Sequence, residues 1–471
     1  MKILFFNPQG NFDKYDSHMT EHPDFGGQLI YVKELAGNIS EISENISVDI
    51  VTRRINDPGW SEFSGEIDYI PGYKKMRIIR IKSGPGKFLR KEELWPYIDE
   101  YVNNIIDFYK NDMPDFVTAH YGDGGLAACK FSYLTGIPFT FTGHSLGAQK
   151  IDKMNLNKNN FEEINNYYNF EMRINAERNS IKNAARIITS TNQERFEQYS
   201  HKLYQGCADL NDNKKFSVIS PGVNTEIFNP ENKCDDILKS AIEKNIRRDR
   251  PYIILSSRFD EKKNHFTAVK AYAESDFLKK NYYMVLFIRN IENPYNYEYL
   301  NTKEKNILEP IIKIILDNNL TQNIFFLDIK SQKDLAKTYN YFYELKSLFL
   351  LPSFYEPFGL APIEAAACRL PVVATKNGGP ADIFRDNSGI LVDPSDTESI
   401  VSGIKKIYEN YNYFSERGYR LVINNYTWKT TAEKYLKEIT DIISENKNNP
   451  IIIDYKENIV KNYINKKTGE K

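Results

Sequence analysis

Two glutamates and a glycine follow a strongly apolar run and form the most distinctive motif of the chain. In the segment 353–364, Glu356 and Glu364 are separated by seven residues, with Gly359 between them. A buried strand, a turn with glycine and a helix starting near Ala361 would present backbone N–H groups to a phosphate. One carboxylate would lie in the loop and the other about one turn into the helix. The segment therefore predicts a site for an elongated, phosphate-containing ligand.

Two cations follow another apolar run. Arg258 and Lys262 lie in the segment 257–264, after the predicted strand 252–256. Arg offers a planar fork and Lys a compact charge, so the two predict neutralisation of a diphosphate, although an exposed charged loop would look the same. The glycines of the segment 377–381 would let a backbone approach a ligand, and a plain strand-to-helix turn explains them equally well.

The first half of the chain has its own candidates. His144 follows the predicted strand 139–142 beside two glycines, where an imidazole can donate or accept a hydrogen bond near a reacting group. The neighbouring Ser145 lacks the G-x-S-x-G context of a hydrolase nucleophile. The segment 26–28, Gly-Gly-Gln, begins a helical pattern and offers donors to an anion or a sugar oxygen. The G-x-G-x-x-A pattern at 122–127 does not predict a dinucleotide site, because its second residue, Asp123, would repel a pyrophosphate.

The elements that position these residues alternate between short apolar runs and helical patterns. Six runs in each half predict strands, and the clearest helix covers 27–43. Alternation of this kind is typical of an α/β fold with parallel sheets covered by helices. We therefore predict two Rossmann-like domains that face a central cleft, with ligands at the carboxyl ends of the strands. The predicted domains are 1–228, 229–425 and a C-terminal helical segment 426–471 that packs back toward the first domain.

Composition excludes several classes of protein. The net charge of −1 gives no general attraction to nucleic acid or acidic membranes, and no apolar run reaches the length of a membrane span. The four cysteines form no ligand-like cluster, the N-terminal run is too short for a signal peptide, and the expected location is the cytoplasm. No D-x-D motif occurs, so neither a metal ion nor another cofactor is expected.

The long motifs at 20–28, 121–123, 143–150 and 353–364 resemble those of the family 4 retaining glycosyltransferases of GT-B architecture. The resemblance is closest to sucrose-phosphate synthases of the short bacterial type, and sucrose synthases share part of the pattern. It implies that glucose is transferred from UDP-glucose to fructose 6-phosphate, with the leaving diphosphate helping to deprotonate the acceptor.

The resemblance also implies roles for individual residues. Arg258 and Lys262 would hold the diphosphate, Glu364 the ribose, and Glu356 with the backbone of Phe358, Gly359 and Leu360 the hexose. His144 would lie beside the transferred sugar, and Glu356, Arg258 and Lys262 would join it in catalysis. The acceptor site would be lined by Gly27, Gln28, Lys87, Tyr121, Lys150 and Arg173.

Two departures from the family pattern keep alternatives open. The chain has Met172-Arg173 where relatives carry two arginines, and Lys330-Ser331-Gln332 where they carry Asn-Ser-Gln. These changes concern the acceptor phosphate and the donor base. The alternatives are a mannosylfructose-phosphate synthase that uses GDP-mannose, a sucrose synthase that uses free fructose, and a non-catalytic nucleotide-sugar sensor. Three cations around a neutral sugar would lack partners, which favours a phosphorylated acceptor. The sequence predicts no oligomeric state.

Overall fold

The structure is a computed structural model that describes residues 1–9, 11–15, 27–289, 291, 293–445 and 450–467. Its contacts divide the chain into two compact units, Met1–Ile219 with Thr431–Lys471, and Ser220–Thr430. The boundaries predicted from the sequence lie nearby, at 228/229 and 425/426. Each unit is built on its own sheet, and the predicted pair of Rossmann-like α/β domains is confirmed.

The first unit contains an eight-stranded sheet in the order β3-β4-β2-β1-β5-β6-β7-β8. Neighbouring strands are parallel except for the antiparallel pair β3–β4. The strands are β1 (Lys2–Phe6), β2 (Ser47–Arg53), β3 (Ile67–Tyr69), β4 (Met76–Ile81), β5 (Phe116–His120), β6 (Phe139–Thr142), β7 (Arg186–Thr189) and β8 (Phe216–Val218). The α-helices among them are α1 (Gly27–Ile42), α2 (Ile98–Tyr109), α3 (Tyr121–Thr135), α4 (Gly147–Lys153), α5 (Phe161–Tyr168) and α6 (Phe170–Asn183).

Glycines in α3 explain how that helix packs. A Cβ atom at position 124 would lie 2.5 Å from the carbonyl oxygen of Phe6 in β1. One at position 125 would lie 2.1 Å from the hydroxyl of Ser180 in α6. Since real Cβ atoms do not approach so closely, the G-x-G-x-x-A pattern serves helix packing in this unit.

Strands β3 and β4 were not predicted, because charged residues interrupt their apolar pattern. Arg80 is fully buried in β4 and pairs with Asp68 of β3 at 2.6 Å, and Arg77 pairs with Asp49 of β2 at 2.7 Å. Buried charges of this kind persist where they are paired and hydrogen-bonded.

The second unit contains a parallel six-stranded sheet in the order β11-β10-β9-β12-β13-β14. Its strands are β9 (Tyr252–Leu255), β10 (Tyr283–Ile288), β11 (Ile324–Asp328), β12 (Leu348–Leu351), β13 (Val372–Thr375) and β14 (Ile390–Val392). Its helices are α7 (Asp236–Glu243), α8 (His265–Glu274), α9 (Asp276–Asn281), α10 (Thr302–Asp317), α11 (Gln332–Glu344), α12 (Leu360–Ala367), α13 (Gly379–Ile383), α14 (Thr397–Glu409) and α15 (Tyr411–Asn425). All six predicted strands of this half are present, as are all six of the first half.

Two further helices end the chain, α16 (Trp428–Glu445) and α17 (Ile459–Lys467). An extended segment before α17 lies along one face of α6, where Asn175, Asn179 and Asn183 recur every four residues. Each asparagine donates its amide N–H to one backbone carbonyl of that segment and accepts the N–H of the same residue. The paired residues are Lys456, Asp454 and Ile452, at 2.7–3.0 Å. We call these six hydrogen bonds the asparagine ladder.

Candidate functional site

The turn after β9 holds two exposed cations, Arg258 and Lys262. Asp260 accepts the backbone N–H of Lys262 at 3.0 Å and so shapes a short 3-10 turn. Asn264, with a left-handed φ of 56°, donates its amide to the carbonyls of Pro352 and Pro394 and anchors the turn. Arg258 and Lys262 are both exposed, and neither side chain has an ion-pair or hydrogen-bond partner among the described residues. Their charges are available to an anion.

Lys263, next to these cations, is a residue that sequence reasoning missed. Its ammonium group donates to the carboxylate of Glu356 at 2.5 Å, and the side chains are only 21% and 14% exposed. The backbone N–H of Phe354 also donates to the carbonyl of Lys262 at 2.9 Å. The turn after β9 and the loop after β12 are therefore joined by an ion pair and a backbone hydrogen bond. A second lysine beside Lys262 was the only sequence signal for this pair.

The glycines at 378 and 379 have a role other than ligand approach. Gly379 donates its N–H to the carbonyl of Glu356 at 2.8 Å. A Cβ atom on Gly378, where φ is +95°, would lie 2.0 Å from that same carbonyl, and one on Gly379 would lie 1.9 Å from the carbonyl of Phe358. Two loops thus pack backbone against backbone, which only glycine permits here.

Helix α12 begins at Leu360, one residue before the predicted start. It follows the buried Gly359, whose φ is 105°, and no side chain of the described residues caps its first turn. The uncapped N–H groups leave a positive helix end beside the loop that carries Glu356. Phe358 is buried and its ring lies near that of Tyr426. The predicted donor-site residues Glu356, Phe358, Gly359 and Leu360 are therefore brought together.

Glu364 lies in the second turn of α12 and is partly buried. Desolvation raises its pKa to about 7, because a charged carboxylate is disfavoured away from water. The adjacent Tyr339 is fully buried, and its hydroxyl has no hydrogen-bond partner within the described residues. Strongly perturbed carboxyl groups with unsatisfied neighbours are typical of ligand-binding sites.

In the first unit, His144 follows β6 in a left-handed conformation with φ of 56°. Its Nε2 lies 2.9 Å from Nδ1 of the fully buried His120. Burial lowers the pKa of His144 to about 3, so the ring is neutral at neutral pH. A neutral imidazole can donate or accept a hydrogen bond but does not supply a charge. The sequence did not predict His120.

Arg173 is engaged by the protein itself. Its guanidinium donates to Glu177 at 2.9 Å and to the carbonyl of Ser145 at 2.6 Å, and it lies 4.6 Å from the ring centre of Tyr121. Glu177, which is fully buried, also accepts the N–H of Gly147. The charge of Arg173 is balanced by Glu177, and this arginine joins α6 to the loop that contains His144.

Three further cations of the first unit lie over aromatic rings, and one of them, Lys91, shares the ring of Tyr121 with Arg173. Lys150 is 3.8 Å from the ring centre of Tyr168, and Lys91 is 5.9 Å from that of Tyr121. Arg90 lies 4.4 Å from the ring centre of Tyr167. Lys91 and Arg90 were not predicted, since a charged loop after an unpredicted strand gave no signal. With Arg173 and Lys150 they form a group that we call the basic cluster.

The remaining predicted acceptor residues, Gly27, Gln28 and Lys87, are not part of the basic cluster. Gln28 accepts a hydrogen bond from Gln9 at 3.0 Å and donates to Asn7 at 3.2 Å, at the carboxyl end of β1. Gly27 is exposed, and a Cβ built on it would meet no atom within 4 Å among the described residues, apart from its chain neighbours and its own helix. Lys87 is also exposed, and its backbone carbonyl accepts a hydrogen bond from Arg53 at 2.8 Å. The motif segment 20–26 lies outside the described residues.

The described part of the chain lacks two features, a metal-ligand cluster and a membrane-spanning helix. No group of three or more His, Cys, Asp and Glu side chains is arranged to hold a metal ion there. No described helix combines the length and apolar character needed to cross a membrane.

Protein-family models match both units. Residues 1–247 match the model described as the first GT-B domain of sucrose synthase, and residues 236–425 match glycosyl transferases group 1. A probable sucrose-phosphate synthase from Thermosipho melanesiensis is 46% identical over 93% of this chain and 96% of its own length. One from Vicia faba is 32% identical over 88% of this chain, which spans 45% of that longer relative.

Solved structures show the same fold. Sucrose-phosphate synthase from Thermosynechococcus elongatus matches with a TM-score of 0.67 at 20% identity, over 94% of this chain and all of that one. Anabaena HepE, solved in complex with UDP-glucose, matches with a TM-score of 0.58 at 13% identity, over 94% and 100% of the two chains. The predicted GT-B fold class is confirmed.

Proposed function

The chain belongs to the sucrose-phosphate synthase family of glycosyltransferases, and from that membership we propose that it transfers glucose from UDP-glucose to fructose 6-phosphate. The products are sucrose 6-phosphate and UDP. The observation that carries the proposal is a pair of exposed cations, Arg258 and Lys262, at the carboxyl end of β9, whose side chains have no partner among the described residues. A backbone hydrogen bond joins their turn to the loop that leads into α12.

The donor is proposed to bind to the second unit. Arg258 and Lys262 neutralise the diphosphate, and the uncapped first turn of α12 adds backbone donors. Glu356 accepts hydrogen bonds from hydroxyl groups of the hexose, and Glu364 accepts them from hydroxyl groups of the ribose. The UDP-glucose bound by the structurally similar HepE supports this choice of donor.

The acceptor is proposed to bind to the first unit. The basic cluster supports a phosphorylated sugar, because its four positive side chains lie beside aromatic faces: Arg173 and Lys91 share the ring of Tyr121, Arg90 lies over Tyr167 and Lys150 over Tyr168. Gly27, Gln28, Lys87 and Tyr121 complete the proposed acceptor site. Aromatic faces beside cations also suit a sugar ring, whose C–H groups are apolar.

Transfer with retention is proposed to take place on one face of the glucose ring. The bond between C1 of glucose and the β-phosphate oxygen breaks, and the C2 hydroxyl of the fructose unit forms the new bond to C1 from the same side. The proton of that hydroxyl passes to the departing phosphate oxygen. Arg258 and Lys262 stabilise the charge that develops on the diphosphate, and the neutral His144 hydrogen-bonds to the transferred sugar. No metal ion is invoked in this scheme.

An incubation matrix tests the proposal. UDP-, ADP- and GDP-glucose and GDP-mannose are each combined with fructose and fructose 6-phosphate, with and without EDTA, and the products are identified by mass. We expect one dominant product, sucrose 6-phosphate from UDP-glucose, formed at a rate that EDTA leaves unchanged and that His144→Ala lowers strongly to a measurable residue. A product formed from GDP-mannose would overturn the proposed donor. A product formed from free fructose, which the match to the sucrose synthase model would suggest, would overturn the proposed acceptor. Donor binding without any product would support a sensor.

A further inference from the structure

A buried chain of hydrogen bonds runs from the C-terminal helix α16 to His144. The hydroxyl of Tyr435 lies 2.9 Å from that of Thr118, which lies 3.0 Å from Nε2 of His120. Nδ1 of His120 lies 2.9 Å from Nε2 of His144. Thr118, His120 and Tyr435 have no measurable exposure, so water does not compete for these bonds.

Aromatic contacts hold the two imidazoles in place. His120 stacks on Phe5 with ring centres 5.4 Å apart, and Tyr31 meets His144 edge-on at 4.9 Å. The imidazole rings themselves lie 5.2 Å apart at 28°. His144 is therefore fixed both by packing and by the hydrogen bond at its Nε2, and its Nδ1 has no hydrogen-bond partner among the described residues.

The direction of each hydrogen bond in this series follows from counting the protons that its members carry. The Tyr435 hydroxyl meets Thr118 at 2.9 Å, Thr140 at 3.2 Å and Thr142 at 3.3 Å, but it has only one proton to donate. Donation to the nearest oxygen, that of Thr118, leaves the Thr118 proton for Nε2 of His120. His120 then carries its proton on Nδ1 and donates it to Nε2 of His144.

Both imidazoles are neutral, because burial lowers the pKa of each. A neutral ring carries one proton, so a His144 that accepts at Nε2 must carry its proton on Nδ1. The direction of donation at Tyr435 therefore decides which tautomer His144 adopts.

We propose that Thr118 and His120 are positioning residues that hold His144 in the Nδ1-protonated tautomer, ready to donate a hydrogen bond to an oxygen of the bound sugar. This inference rests on the proposed function, in which His144 contacts the transferred sugar. Its benefit is preorganisation: the donor is already oriented when charge develops during transfer.

Two threonines provide a matched comparison. Thr118 and Thr140 are register partners on β5 and β6, both contact Tyr435, and only Thr118 contacts His120. Valine preserves the shape of threonine and removes the hydroxyl. We expect Thr118→Val to lower kcat about 10-fold and Thr140→Val to change it less than twofold, with similar losses of thermal stability. Equal losses of kcat, or no loss in Thr118→Val, would overturn the proposal.

Two further measurements separate positioning from general damage. In a His144→Ala background, Thr118→Val is expected to lower the residual rate no further, because coupled residues are not additive. An undiminished 10-fold loss there would show that Thr118 acts elsewhere. His120→Asn keeps a polar group at the position of Nδ1, whereas His120→Phe keeps an aromatic ring without any hydrogen-bonding atom. We therefore expect His120→Asn to retain more activity than His120→Phe.

The tautomer itself can be read without any substrate. Nitrogen-15 spectra of the histidine-labelled parent protein show which ring nitrogen is protonated, and loss of one set of signals in His144→Gln assigns them. We expect His144 to be protonated at Nδ1, with a mixture of tautomers in Thr118→Val. Protonation at Nε2 in the parent would refute the assigned direction, whatever substrates the enzyme proves to use.

Discussion

Replacing each of two adjacent lysines by methionine is expected to have different effects, on activity in one case and on stability in the other. Lys262 is exposed and has no partner in the described part of the chain, whereas Lys263 forms the ion pair with Glu356. The substitutions are the same in chemistry and differ by one position. Lys262→Met should therefore impair turnover of the donor, and Lys263→Met should lower stability.

The magnitudes follow from these environments. An exposed substitution without contacts changes the free energy of unfolding by less than about 0.5 kcal/mol. Loss of a charge-assisted hydrogen bond to the diphosphate costs about 1.5–3 kcal/mol, or roughly 10- to 150-fold in kcat/KM. Breaking a buried pair costs about 3–5 kcal/mol and a surface pair at most about 1 kcal/mol. Lys263 and Glu356 are partly exposed, at 21% and 14%, so we expect about 2 kcal/mol for Lys263→Met.

The assays are denaturant unfolding and kcat/KM for the nucleotide sugar on the same preparations. The double variant Lys263→Met/Glu356→Gln removes the uncompensated carboxylate, so it should recover most of the lost stability but not the activity that Glu356 supplies. The reasoning is refuted if Lys262→Met destabilises as much as Lys263→Met. A double variant no more stable than Lys263→Met would also refute it, because the carboxylate would then not be the source of the cost.

Two other predictions concern the first unit. Asn179→Leu should break the centre of the asparagine ladder and speed hydrogen exchange in the segment 452–456, while kcat changes little; unchanged exchange would contradict the role given to the ladder. The second concerns Glu194, whose pKa burial raises to about 7, above the value of about 4.3 in unfolded chains. The folded state therefore binds more protons between these values, and Glu194 lowers stability as pH rises. Glu194→Gln should gain about 1.4 kcal/mol per pH unit relative to the parent between pH 5 and 7, measured by unfolding. Glu197→Gln, at an exposed carboxyl nearby, is the control, and a flat difference for Glu194→Gln would contradict the assignment.

Sequence reasoning succeeded where a local pattern was enough. Twelve apolar runs became strands, and the residues after them fell at strand ends because parallel strands place their carboxyl ends on one edge. It failed where a partner lies far along the chain. Nothing local distinguishes Lys262 from Lys263, because the partner of Lys263 lies 93 residues away. His120 looked like the last residue of a strand, and only the fold brings it against His144.

The helix α6 shows how the end of the chain and the proposed acceptor site depend on one element. Through Arg173 and Glu177 it holds the loop after β6, at the carbonyl of Ser145 and the N–H of Gly147. Asn175 follows Arg173 by two residues, and Asn179 follows Glu177 by two residues. Two positions correspond to about 200° of rotation, so both asparagines lie on the other side of the helix. That side binds the segment before α17. The two sets of hydrogen bonds therefore use opposite faces of one helix, so the C-terminal segment can loosen while Arg173 and Glu177 still hold the loop that carries His144. Arg173, which the sequence resemblance places in the acceptor site, holds the loop after β6 from the face of α6 opposite to the asparagine ladder.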